Sequence, residues 1–106
     1  MRACFFIVIV FLTSLSSNAQ NIENALNSLD SNSRTWVEST CPRSLGPSLY
    51  SLCIRREVGV IKSGIPNTNG LQPSDKAWVE STCPRSLGPS LYSSCIRREV
   101  SAIKQL

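Results

Sequence analysis

The chain contains no histidine. A serine or cysteine nucleophile is usually activated by an adjacent base, most often histidine, so that route to catalysis is missing. Histidine is also a common zinc ligand, and the cysteines do not compensate, because each pair is separated by eleven residues where zinc sites begin with a close pair. Glycine is scarce, with five residues, and none forms a phosphate-cradling loop after a strand; no calcium loop is present. The carboxylates Glu38, Glu57, Glu80 and Glu99 are candidates for paired acid–base work, but Glu38 falls opposite the Trp36 side of its helix and reads as a solvated residue. A non-enzymatic protein without metal or cofactor is expected. A dense basic stripe is also absent, which argues against a nucleic-acid partner.

The one long apolar run, Phe5 to Leu12, lies at the start of the chain behind Arg2 and ahead of small residues. It is well short of the roughly 20 residues needed to span a bilayer. The pattern is that of a secretory signal peptide, with Ser17 and Ala19 in the positions signal peptidase prefers. Cleavage after Ala19 gives a secreted, extracellular chain beginning at Gln20, whose N-terminal glutamine can cyclise. That chain loses Cys4 and Arg2, and keeps four cysteines, ten basic and seven acidic residues, a net charge of +3. At such a size a core alone is a marginal source of stability. Cys41, Cys53, Cys83 and Cys95 are therefore read as two disulfides in an oxidising compartment. Pairing within each copy, Cys41 with Cys53 and Cys83 with Cys95, closes a loop in each; the swapped pairing, Cys41 with Cys95 and Cys53 with Cys83, remains open.

What is present is a sentence written twice. WVESTCPRSLGPSLYSLCIRREVGVIK at residues 36–62 returns as WVESTCPRSLGPSLYSSCIRREVSAIK at 78–104, with 24 of 27 positions identical. Ahead of the first copy, Ile22, Ala25, Leu26 and Leu29 recur at helical spacing and predict a short amphipathic helix. Ser33 and Ser74 sit where N-caps belong, and Trp36, Val37, Thr40 and Cys41 share one side of the helix that follows. Pro42 and Pro84 end that helix, because the residue before a proline is pushed out of the helical region. Pro47 and Pro89 suit the first turn of a second helix, with Ser44 or Gly46 near its cap. On a helical wheel Leu49, Tyr50, Cys53, Ile54, Val58, Val60 and Ile61 form the apolar arc, with Arg55, Gly59 and Lys62 opposite. Leu52→Ser94 and Gly59→Ser101 fall off that arc, and Val60→Ala102 keeps it apolar.

These patterns predict an all-α, disulfide-rich protein of two tandem helical hairpins. The division is a signal peptide over 1–19, a leading helix within 20–33, a first hairpin over 34–62, a linker over 63–73 and a second hairpin over 74–106. Burying the two apolar arcs against each other would make a four-helix arrangement; without that contact the hairpins are beads on a string.

Three features bear on function. The pairs Arg55-Arg56 and Arg97-Arg98 occupy matching positions and would allow cleavage of a precursor into cysteine-loop peptides, if they were accessible. The second helix is basic and amphipathic, which makes a membrane surface one partner class. The turn PRSLGP is displayed twice with Arg43 or Arg85 at its tip, and identical copies permit bivalent engagement of a partner. The expected function is that of a secreted binding protein of signalling, effector or defence type, meeting an extracellular protein or receptor. The succession of short helix, Cys, proline turn and Cys on a longer helix, from WVESTC to the second cysteine, resembles the N-terminal hairpin of plant invertase and pectin methylesterase inhibitors. The cysteine spacing differs and the helical bundle of that family does not follow, so the resemblance implies no function here.

Overall fold

A computed structural model describes residues 21–106; the expected signal peptide and its expected cleavage site lie outside the described residues. All regular structure among them is helical: α1 over residues 21–27, α2 over Ser31–Thr40, α3 over Pro47–Ser63, α4 over Pro73–Thr82 and α5 over Pro89–Lys104. A single 3-10 turn, Arg43–Leu45 or Arg85–Leu87, joins the helices within each copy. No helix among the described residues is long and apolar enough to cross a membrane.

The helix starts lie earlier than the serines suggested. Asp30 caps α2, its Oδ1 accepting the Ser33 N–H at 2.7 Å, so Ser33 is spent as a donor inside the first turn. That bond, made to the ionised form, lowers the Asp30 carboxyl below its ordinary value. Residues 31–33 consequently belong to the first hairpin rather than to the leading helix. In the second copy the start is Pro73 in the first turn, which places Ser74 within α4. The helix ends follow expectation: Cys41 and Cys83 leave the helical region immediately before their prolines.

Each disulfide closes its own copy. Cys41 bonds Cys53 and Cys83 bonds Cys95, with Cα atoms 5.7 Å apart in both. Loops of this length contribute about 3 kcal/mol each in the chain-entropy account. Around each bond lies a separate apolar cluster. In the first copy Leu26, Val37, Ile54 and Val58 are buried with the cysteines, under a lid of Ile22, Ala25 and Leu29. In the second, Val79 and Ile96 are buried with theirs, and Leu71, Tyr92, Val100 and Ile103 pack around them. The hairpins therefore do not pool their apolar arcs into one four-helix core.

Two expectations are corrected. Leu49 and Leu91, placed on the apolar arc, are 55% and 62% exposed. The disulfide ties the end of α2 to the second turn of α3, so Leu49 lies one turn ahead of that tie and is not covered by α2; Leu91 has the same place on α5 and stays exposed although Pro89 and Ser93 beside it are buried. The stretch 63–73 is more than a linker. Thr68 is buried and donates its hydroxyl to Glu80 Oε1 at 2.9 Å, and Leu71 covers the second cluster as α1 covers the first.

Candidate functional site: the junction between the copies

The copies meet through chemistry that the apolar pattern did not advertise. From the first copy, α2 presents Trp36 and Thr40, and α3 presents Glu57. From the second, the 3-10 turn and the start of α5 present Arg85, Gly88, Pro89, Ser90 and Tyr92. The Trp36 indole donates from Nε1 to the Arg85 carbonyl oxygen at 2.7 Å. Its ring meets Tyr92 edge to face, with centroids 5.6 Å apart at 76°, and the Arg85 guanidinium lies over it at 4.0 Å. The same guanidinium is 5.2 Å from the Tyr92 ring, so one cation serves two aromatic faces.

Glu57 completes the junction. Helix α5 begins at Gly88, which has no side chain to satisfy the first backbone donors. Glu57, 1% exposed, reaches across from α3, and its Oε2 accepts the Ser90 N–H at 3.1 Å. A carboxylate from one copy thus serves as the N-terminal cap of a helix in the other, where the helix dipole favours negative charge. Its other oxygen is 3.6 Å from the exposed guanidinium of Arg56. Gly88 is required twice over: its φ is +89°, and a Cβ there would collide with the Thr40 side chain.

Identical residues then differ in burial, and apart from Val58, which the α1-covered cluster buries more deeply than Val100, the differences map to this junction. Trp36 and Thr40 are half-buried where Trp78 and Thr82 are exposed, and Glu57 is buried where Glu99 is not. Conversely Gly88, Pro89 and Ser93 are buried where Gly46 and Ser51 are half-buried and Pro47 is exposed. The packing is head to tail, so each copy retains one unused half. At one end Trp78, Thr82, Glu99 and Ala102 line an open groove with Val79 and Ile103. At the other, Arg43, Gly46, Pro47 and Tyr50 form a cleft of about 500 Å³ whose far wall is Ile22 and Glu23 of α1. Arg43 lies 5.1 Å from the Tyr50 ring, as Arg85 does from Tyr92, so the unused half keeps the arrangement of the occupied one.

The sequence-predicted residues divide accordingly. Arg85 is in the junction and Arg43 in its open counterpart. Arg55, Arg56, Arg97 and Arg98 are exposed along the middle of α3 and α5; Arg56 reaches Glu57 at the edge of the junction at 3.6 Å, and Arg98 pairs with its neighbour Glu99 at 3.0 Å. Sequence reasoning named Glu57 only among carboxylates for paired acid–base work and missed its capping role, and it missed Gly88. A signal existed: Glu57 falls within the apolar arc, and glycine before proline leaves α5 without a side-chain cap.

Comparison with family models, with curated proteins and with solved structures finds no match for this chain.

Proposed function

We propose that this disulfide-stabilised helical protein is a secreted, non-enzymatic binding protein, which meets its extracellular partner through the free copies of the surfaces that join its hairpins. The observation that carries the reading is the unequal burial of identical residues: Trp78 is 61% exposed in the groove whose twin holds Trp36 against Arg85 and Tyr92. An exposed tryptophan beside a carboxylate, and an arginine–tyrosine pair beside an uncapped helix start, are residue types that dominate binding energy at interfaces. The test uses the labelled, oxidised chain from Gln20 to Leu106 on intact cells. Saturable binding, competed by unlabelled chain and weakened at least about tenfold by Trp78→Ala, is expected. Binding that is unsaturable, or indifferent to that change, would sink the reading.

The precursor alternative is less well supported, because Arg55-Arg56 and Arg97-Arg98 lie inside continuous helix, where a protease must first unwind the backbone. Intact mass of the secreted material decides: a single species near full mature length is expected, whereas peptides ending near Arg56 and Arg98 would establish processing. A membrane-surface role gains one observation, the exposure of Leu45, Leu49 and Leu52 in line along the turn and α3, next to Arg56. Release of dye from anionic vesicles at micromolar protein would establish it.

A further inference from the structure

We infer that the partner of the two open halves is a second copy of this chain, so that the protein assembles head to tail through repetitions of its own internal junction. The inference rests on the reading of those halves as binding surfaces and names their occupant. Its basis is continuity with an interface already present. Trp78, Thr82 and Glu99 repeat Trp36, Thr40 and Glu57; Arg43, Gly46, Pro47, Ser48 and Tyr50 repeat Arg85, Gly88, Pro89, Ser90 and Tyr92. The first set docks on the second within one molecule, and each molecule has one unmatched example of each.

The physical needs of the open halves are those the junction meets. Gly46 has the same φ of +89° as Gly88, with nothing within 4 Å of the position a Cβ would take, which is the space Thr40 fills at Gly88. The start of α3, like that of α5, has no side-chain cap of its own, and Glu99 is the residue that corresponds to the carboxylate supplied at α5. Glu99, beside Arg98, stands at one end, and Arg43 at the other, where the Glu23 carboxylate on the far wall is itself held by Arg34. The junction is heterologous, since different surfaces meet, and such contacts either close into rings or extend as open chains. The single change on the groove, Ala102 for the half-buried Val60, removes apolar surface and makes the contact between molecules weaker than the one within. The internal contact also has the advantage of a covalent link, worth an effective concentration of about millimolar.

The experiment is sedimentation velocity of the oxidised chain from Gln20 to Leu106, between about 10 μM and 1 mM, a range set by that effective concentration. The average mass is expected to rise with concentration through dimer to larger species. Trp78→Ala disables one end and Pro47→Glu the other. Both positions are exposed, and an acidic residue at the start of α3 is compatible with the helix dipole, so circular dichroism is expected to remain unchanged. Each variant alone should need at least about a tenfold higher concentration to associate. Mixed in equal amounts they should form dimer and nothing larger, because one intact groove then meets one intact cleft. A parent chain that stays monomeric at about 1 mM, or variants that do not complement, overturn the inference. Cell binding that is still lost in Trp78→Ala would in that case leave the binding reading standing with another partner.

Discussion

A single carboxylate shows how little of a residue's role is carried by its identity. Glu57 and Glu99 follow the same Arg-Arg pair at the same position of the same helix, yet one is buried and caps a helix while the other pairs with its neighbour at the surface. Hydrogen bonds to charged groups are among the stronger ones, and Glu57→Ala also leaves the Ser90 N–H without its partner; the expected loss is about 2 kcal/mol. Glu99→Ala removes only a partly exposed ion pair, so its effect should stay within about 0.5 kcal/mol. Chemical denaturation of the two variants measures the difference directly. Equal losses would mean that Glu57 acts through its own helix, since that is all the two positions share. Ser93 raises a related point. Its hydroxyl is the buried side-chain oxygen without a hydrogen-bond partner among the described residues, while its twin Ser51 remains partly open; docking thus carries a small desolvation cost that Glu57 and Trp36 outweigh.

At the scale of elements, the hairpin is set by punctuation and the junction by glycine. Gly46 and Gly88 share a backbone conformation, so alanine at either meets the same strain of about 1–3 kcal/mol. Only at Gly88 does the new methyl also strike Thr40, and overpacking of that kind costs about 1–3 kcal/mol more. Gly88→Ala should therefore destabilise beyond Gly46→Ala by that margin, and Thr40→Ser in the Gly88→Ala background should recover part of it. The comparison of midpoints in denaturant is the measurement. The hairpins themselves were legible: Pro42 ends α2, Pro47 opens α3, and the cysteines close each copy because the turn brings them together. The cap at Asp30 was missed because Ser33 is an equally good cap by composition, and only the geometry shows which residue accepts the bond. The exposure of Leu49 was missed because a wheel describes direction around one helix and says nothing of where its neighbour ends. The candidate site was half legible. The turn carrying Arg43 and Arg85 stood out because it is copied, but a periodicity search treats Glu57 as an exception to the apolar arc, when that exception is the contact.

For the whole molecule, the question is whether two stapled hairpins make two folding units. The second copy has only 34 residues from Pro73 onward, with few buried side chains and Leu71 as its cover. Chains below about 40 residues rarely fold without help, and one disulfide supplies about 3 kcal/mol of it. The junction adds an aromatic pair, the stacking of Arg85 on Trp36 and a buried carboxylate, all lost if the copies separate. Docking and folding should then be one cooperative event, as in most small domains. Trp78→Phe leaves Trp36 as the one indole, a reporter placed in the junction. Its fluorescence and the helical circular dichroism are expected to change at the same denaturant concentration, and Glu57→Ala should move both midpoints together. A Trp36 signal that shifts first, with helix content intact, would mean that each hairpin stands on its own core and that the junction is a dockable contact between independent parts. The same coupling bears on assembly, because an interface needed to hold one molecule together is present in every folded copy, with its two unused halves already in place.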